Sequence, residues 1–193
     1  MAWEHELFAL FDDLEGQAAA LWEADREAEI ADRARAEYAS VTLASRLMAS
    51  RGHDVRLDLP HVGRVEGRLD RVGDGWCLLS GAGRDWIVPL GHVVAAHGCS
   101  GRSVPEVAWS PVDRLGLRAA LRRLAETGGR CVLHLADGSW HAGRLERAGA
   151  DFVECAPDGE AHDEAHGDAR GEPVLVAHAA LVAVQSREDR GSD

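Results

Sequence analysis

The sequence predicts an α+β chain: a long N-terminal helix, then two tandem five-stranded β-barrels, each preceded by a helix. Three observations carry this. One phrase is written twice: GRLDRVGDGWCLL (67–79) returns as GRLERAGADFVEC (143–155), 76 residues later and without a gap. Both copies sit in segments where apolar and polar residues alternate, as half-buried strands require. The first forty residues instead place apolar side chains three and four apart, the helical period.

The N-terminal helix is read over 3–38. Trp3, Leu7, Phe11, Leu14, Ala18 and Leu21 form its seam, continued by Ala24, Ala28, Ala31, Ala34 and Tyr38. Gly16 is the expected point of a kink or division. A thin seam on so long a helix needs a partner, either another part of this chain or a second copy. Leu7, Phe11, Leu14 and Leu21 are therefore the candidate packing or oligomer residues.

In the first copy Val55, Leu57 and Leu59 face one way, and Arg56 and Asp58 the other. Cys131, Leu133 and Leu135 take the matching places in the second. Gly67 and Gly143 fall in mid-strand, where glycine marks a sharp bend. Leu69 and Leu145 follow in register, and VGDG (72–75) and AGAD (148–151) close hairpins. WIVPLGHVVAA (86–96) matches VLVAHAALVAV (174–184) at an offset of 88, so the second copy holds 12 more residues. These lie in the polar stretch 156–173, expected to be an exposed, mobile loop. The leading helices are read over 41–52 and 110–129, the second with Ser110 as N-cap, Pro111 at its first position and Gly128 past its end. The organisation is then an acidic amphipathic helix at 1–40, a barrel at 41–98, a linker at 99–110, a helix plus barrel at 111–186, and a disordered tail at 187–193.

Charge narrows the function. The net charge is −12, and all 21 basic residues are Arg. Residues 1–40 hold eleven acids and three Arg; residues 131–193 hold thirteen acids and five Arg. Only residues 41–130, with nine acids and thirteen Arg, are basic. Wholesale polyanion binding is thus disfavoured, because phosphate affinity is largely electrostatic. Arg114, Arg118 and Arg122 step by four along the second leading helix, with Arg123 beside them. This stripe suits a phosphate backbone, the acids of the N-terminal helix, or plain solvent. Trp140, aligned with Arg64, points outward. It suits stacking on a base, anchoring a partner, or packing under the acidic helix.

Other motifs point away from catalysis. HDEAH (162–166) has Asp163 where a zinc-protease helix needs Glu, and loop-like flanks, so His162 and His166 make a metal hydrolase only a remote reading. His97 and Cys99 lack two further ligands in sequence. Cys77, Cys99, Cys131 and Cys155 form no C-x-x-C pair and read as reduced, small hydrophobes. There is no phosphate loop and no nucleophile with a base. No enzyme activity, cofactor or metal is expected. The acidic N-terminus lacks the features of a signal peptide, and no apolar run reaches the ~18 residues of a membrane span. The expected address is the cytoplasm.

A helix followed by five bent strands, with a glycine inside the second, resembles an Sm-like barrel within the wider SH3-like class. The residues carrying this are Gly67, Leu69 and Val72, then Gly143, Leu145 and Ala148, with VPLGHVVAA as the closing region. The likeness covers roughly 43–98 and 117–185. The family reads RNA with an Asp and an Asn; here Gly73 and Gly149 stand for the first, Cys77 and Val153 for the second. The resemblance therefore implies the fold and not the RNA site. The whole layout also resembles a group of bacterial proteins, some labelled Fis-family transcriptional regulator, although no helix-turn-helix pair is evident. The expectation is a non-catalytic binding or scaffold protein working through protein partners or self-association by its N-terminal helix, in gene regulation. Nucleic-acid binding through the Arg-bearing helix is the alternative.

Overall fold

The computed structural model describes residues 2–81, 83–157 and 172–186. The chain divides into two compact units between Val41 and Thr42. The motif HDEAH, most of the long polar loop and the tail 187–193 lie outside the described residues.

The first unit is helix α1, Ala2–Ala39. It runs unbroken through Gly16, so the expected division is absent. A Cβ at Gly16 would meet nothing within 4 Å. At 3.6 residues per turn, Trp22 borders the seam of Leu7, Phe11, Leu14 and Leu21 beside Phe11, Phe8 and Ile30 lie off it, and all seven are exposed. The apolar surface of α1 is broader than the seam suggests.

The second unit holds helix α2 (Leu43–Met48), helix α3 (Leu117–Thr127) and ten strands. Strands β1 (Asp54–Leu59), β2 (Gly63–Gly73), β3 (Trp76–Gly81), β4 (Arg84–Pro89) and β5 (Ala95–His97) form the first half. Strands β6 (Arg130–Leu135), β7 (Trp140–Ala148), β8 (Phe152–Pro157), β9 (Val174–Ala177) and β10 (Leu181–Ser186) form the second. Together they make one antiparallel sheet in the order β5-β1-β2-β3-β4-β10-β6-β7-β8-β9. The sheet is continuous and open, where two separate closed sheets were expected.

Within each half the order is the same: fifth, first, second, third, fourth. The registers also repeat. Val55 lies opposite Gly67 as Cys131 lies opposite Gly143. Leu69 lies opposite Leu79 as Leu145 lies opposite Cys155. Each second strand slips one residue directly after that leucine, between Leu69 and Arg71 and between Leu145 and Arg147. Such a slip bends a strand and sharpens its twist. The mid-strand glycines fit this bend. A Cβ on Gly67 would stand 2.8 Å from the carbonyl oxygen of Ser80, and one on Gly143 would strike that of Ala156.

Each half buries its own apolar cluster. The first centres on Val55, Leu57, Leu69, Leu79 and Val88 with Leu47 of α2. The second centres on Leu133, Leu145, Val153 and Leu181 with Leu121 of α3. Helix α2 opens on a reciprocal cap: Ser45 N donates to Thr42 Oγ1 (3.1 Å) and Thr42 N donates to Ser45 Oγ (3.1 Å).

One sequence expectation changes here, the start of the second leading helix. Helix α3 begins after Gly116, not at Ser110. Ser110 instead caps a local turn, donating its hydroxyl to Asp113 Oδ2 at 2.6 Å and accepting from Asp113 N. Gly128 does end the helix, in the left-handed conformation at φ 65. The segment 99–110, the linker of the sequence reading, is held to the first half. Val104 N donates to Ser45 O, Trp109 Nε1 donates to Val104 O, and Trp109 is buried in the first cluster.

Candidate functional site

Three surfaces of the chain carry residues with binding chemistry: α3, the start of β7, and the joint between the two halves.

Helix α3 turns Leu121 into the second cluster, with Leu117, Leu124 and Ala125 packed against it. Its other face exposes Arg118, Arg122 and Arg123. Glu126 offsets two of these, at 3.9 Å from Arg122 and 3.1 Å from Arg123. Among the described residues Arg118 makes no ion pair. Arg114 does not join the stripe. It lies in the turn before α3, and its Nη2 reaches the carbonyl oxygens of Glu106 and Val107 at 3.4 and 3.3 Å. The stripe of four read from sequence is three helical Arg and one Arg that ties down a turn.

Trp140 opens β7 and is 47% exposed, opposite His134 of β6. It has the outward orientation expected from strand alternation.

The third surface was not anticipated. Strand β4 pairs with β10, with Val184 opposite Ile87 and Gln185 opposite Trp86. Side chains cross this joint in both directions. Val182 and Ala183 of β10 are core residues of the first cluster, and Ile87 of β4 packs on the second. The Trp86 and His134 rings stack with centroids 5.6 Å apart. His134 Nε2 lies 3.3 Å from Gln185 Oε1. Burial holds the His134 imidazole below its ordinary value, partly opposed by the Gln185 contact. Asp85 N donates to Ser186 Oγ at 2.7 Å. No local sequence signal marks this joint, because its two strands come from opposite halves of the repeat and no period connects them.

At the far side of the first half, Asp58 accepts from Arg64 Nε (3.0 Å) and pairs with His97 Nε2 (3.1 Å), and these contacts hold its carboxyl below the usual carboxylate range. His97 is thus engaged with a carboxylate. Cys77, Cys131 and Cys155 are buried and Cys99 is half-buried. Burial pushes the Cys77 thiol up to about 12, which suppresses the reactive thiolate. Among the described residues, no three His, Cys, Asp or Glu side chains gather in a way that holds a metal ion, and no helix is long and apolar enough to cross a membrane.

Neither a family model nor a curated protein matches this chain.

Proposed function

We propose that this is a non-catalytic binding and scaffold protein of the cytoplasm that acts through protein contacts, in a gene-regulatory setting. In this reading each five-stranded half curls into a small Sm-like barrel, fed by its leading helix. The paired bulges after Leu69 and Leu145, and the separate apolar cluster in each half, support that curl. The regulatory setting rests on the resemblance in layout.

The observation that carries the functional reading is the exposed apolar surface of α1. Leu7, Phe11, Leu14 and Leu21 stand in water together with Trp22 and Ile30. An apolar surface of that extent on a soluble protein marks an interaction site. The partner is a protein, because the same helix carries all eleven acids of residues 1–40, which repel nucleic acid.

The exposed Arg118, Arg122 and Arg123 favour a second reading, direct nucleic-acid binding through α3, with Trp140 as a stacking residue. One experiment separates the two. Fluorescence polarisation of labelled single- and double-stranded nucleic acid is measured against the full chain at 50 and 200 mM salt. In parallel, a full chain carrying Leu7→Glu, Phe11→Glu and Leu14→Glu is compared with the wild type for binding of a hydrophobic dye. The protein-contact reading expects no saturable nucleic-acid binding and a large loss of dye binding in the variant. Binding that falls steeply with salt and is lost on Arg118→Glu/Arg122→Glu would replace it with the second reading.

A further inference from the structure

Helix α1 follows a stricter rule than one apolar seam. From Trp3 to Tyr38, steps of four and three alternate without a break, through positions 3, 7, 10, 14, 17, 21, 24, 28, 31, 35 and 38. Nine of these eleven residues are apolar or aromatic; Gln17 and Arg35 are the exceptions. All eleven are exposed. A period of 3.5 sustained along a whole helix is the pattern of a left-handed coiled coil, whose seam lies against a second helix. Among the described residues no other helix of this chain matches that length. Helix α2 has six residues, and α3 has eleven, with its apolar face already packed on the second cluster.

The seam is bulky at one end and slim at the other. Leu7, Leu10, Leu14 and Leu21 fill its first part, and Ala24, Ala28 and Ala31 its second. Two parallel copies in register would set leucine on leucine, then alanine on alanine, and Arg35 on Arg35. Interaxial distance follows the side chains at the contact, so such a pair would be wide at one end and narrow, with like charges meeting, at the other. Antiparallel copies remove both faults. Leu7 then faces Ala31 of the second copy, Leu14 faces its Ala24, and Leu10 faces its Ala28. Large against small at each layer holds one spacing throughout. Arg35, which pairs with Asp32 on its own helix, comes to lie on the Trp3 ring of the second copy, a cation–π contact. Gln17 faces Leu21 near the centre, where a polar seam residue fixes register at a cost in stability.

We infer that α1 of one copy pairs antiparallel with α1 of a second copy, making the protein a reversible dimer. This names the partner for the protein-contact reading above and rests on it. The size of the seam suits a dimer. A stripe ~100° wide along ~54 Å of a helix ~12 Å across covers about 600 Å² per chain, so about 1,200 Å² over both, the lower bound for a specific interface. Charge keeps the pair reversible. Asp13 lies beside Glu27 of the second copy at the seam's margin, and these acids repel. Salt screens that repulsion, so the dimer tightens as salt rises. Pairing of α1 with a basic surface would show the opposite dependence.

The test is sedimentation velocity on the full chain from 1 to 200 μM, at 50 and 500 mM salt. The wild type should pass from one-chain to two-chain mass and stop there, at severalfold lower concentration in high salt. The double variant Leu14→Glu/Leu21→Glu should stay at one-chain mass throughout. Both positions are exposed, so its thermal midpoint should remain within a few degrees of wild type. Orientation is read by electron–electron distance between spin labels on Arg33→Cys in a Cys99→Ser chain. Antiparallel pairing sets the two labels ~28 residues apart along the axis, at least ~40 Å at 1.5 Å per residue. A distance of ~25 Å or less would mean parallel helices and overturn the arrangement. Growth beyond two chains, growth that persists in the double variant, or affinity that falls with salt would also overturn it. So would a wild type of constant one-chain mass. The protein-contact reading survives that last result if Leu7→Glu/Phe11→Glu/Leu14→Glu still loses dye binding, and falls with it if dye binding is unchanged.

Discussion

His134 ties a single protonation event to the joint between the halves. Its ring stacks on Trp86 of the other half and is half-buried, and that burial lowers its affinity for a proton. The sign of the effect follows. Below its ordinary value of 6.5, the unfolded chain takes up a proton that the folded chain refuses. Stability therefore declines as pH falls from 6.5 toward the depressed folded value, and levels off below it. Urea denaturation at pH 7.5, 6.5, 5.5 and 5.0 should show this decline in the wild type and a smaller one in His134→Gln. Equal slopes in the two proteins would mean that His134 is not the group responsible. The alternation of residues 130–135 does place His134 on the face opposite Leu133. Its ring neighbour was illegible, because Trp86 is 48 positions away and no period connects them.

At the scale of elements, legibility followed the strength of the local pattern. The strands that repeat at 76 residues are matched bulge for bulge, since alternation and mid-strand glycine act within a few residues. The start of α3 was misplaced because Ser110 and Pro111 form a genuine start signal that the chain spends on a turn. A serine that accepts from a backbone N–H three residues on serves a turn as well as a helix. Helix α1 is the clearest case of pattern and propensity disagreeing. Gly16 is a poor helix former, yet the helix passes through it unbroken with open space where a side chain would be. Gly16→Ala should therefore stabilise α1 by about 1 kcal/mol, relieving the entropic cost of glycine in a helix interior without a clash. Hydrogen exchange should slow about fivefold for the amides flanking position 16, with no change in β1–β10. Faster exchange would indicate that a close neighbour occupies that face.

For the sheet-bearing unit, the joint decides whether two repeats behave as two bodies or one. Nothing in residue type separates Val94 from Val182, and both lie in the same repeated segment at the same offset. One is exposed and the other is sealed in the opposite half, and only strand order produces the difference. Edge pairing between strands far apart in sequence is a property of topology, which is why this surface had no signature while the repeat itself was plain. The energetic consequence is specific. Val182→Ala removes buried methyl groups from the first cluster although the residue belongs to the second half, at a cost of roughly 2 kcal/mol. Val94→Ala, at the exposed counterpart, should change stability by less than about 0.5 kcal/mol at low protein concentration. If the halves unfold together, Val182→Ala should reduce amide protection in β2 and β3 as much as in β7 and β8. Hydrogen exchange resolved by peptide mass spectrometry reads both at once. Loss confined to the second half would show that β10 detaches from β4 before either cluster opens, and that the joint links two independently folding bodies.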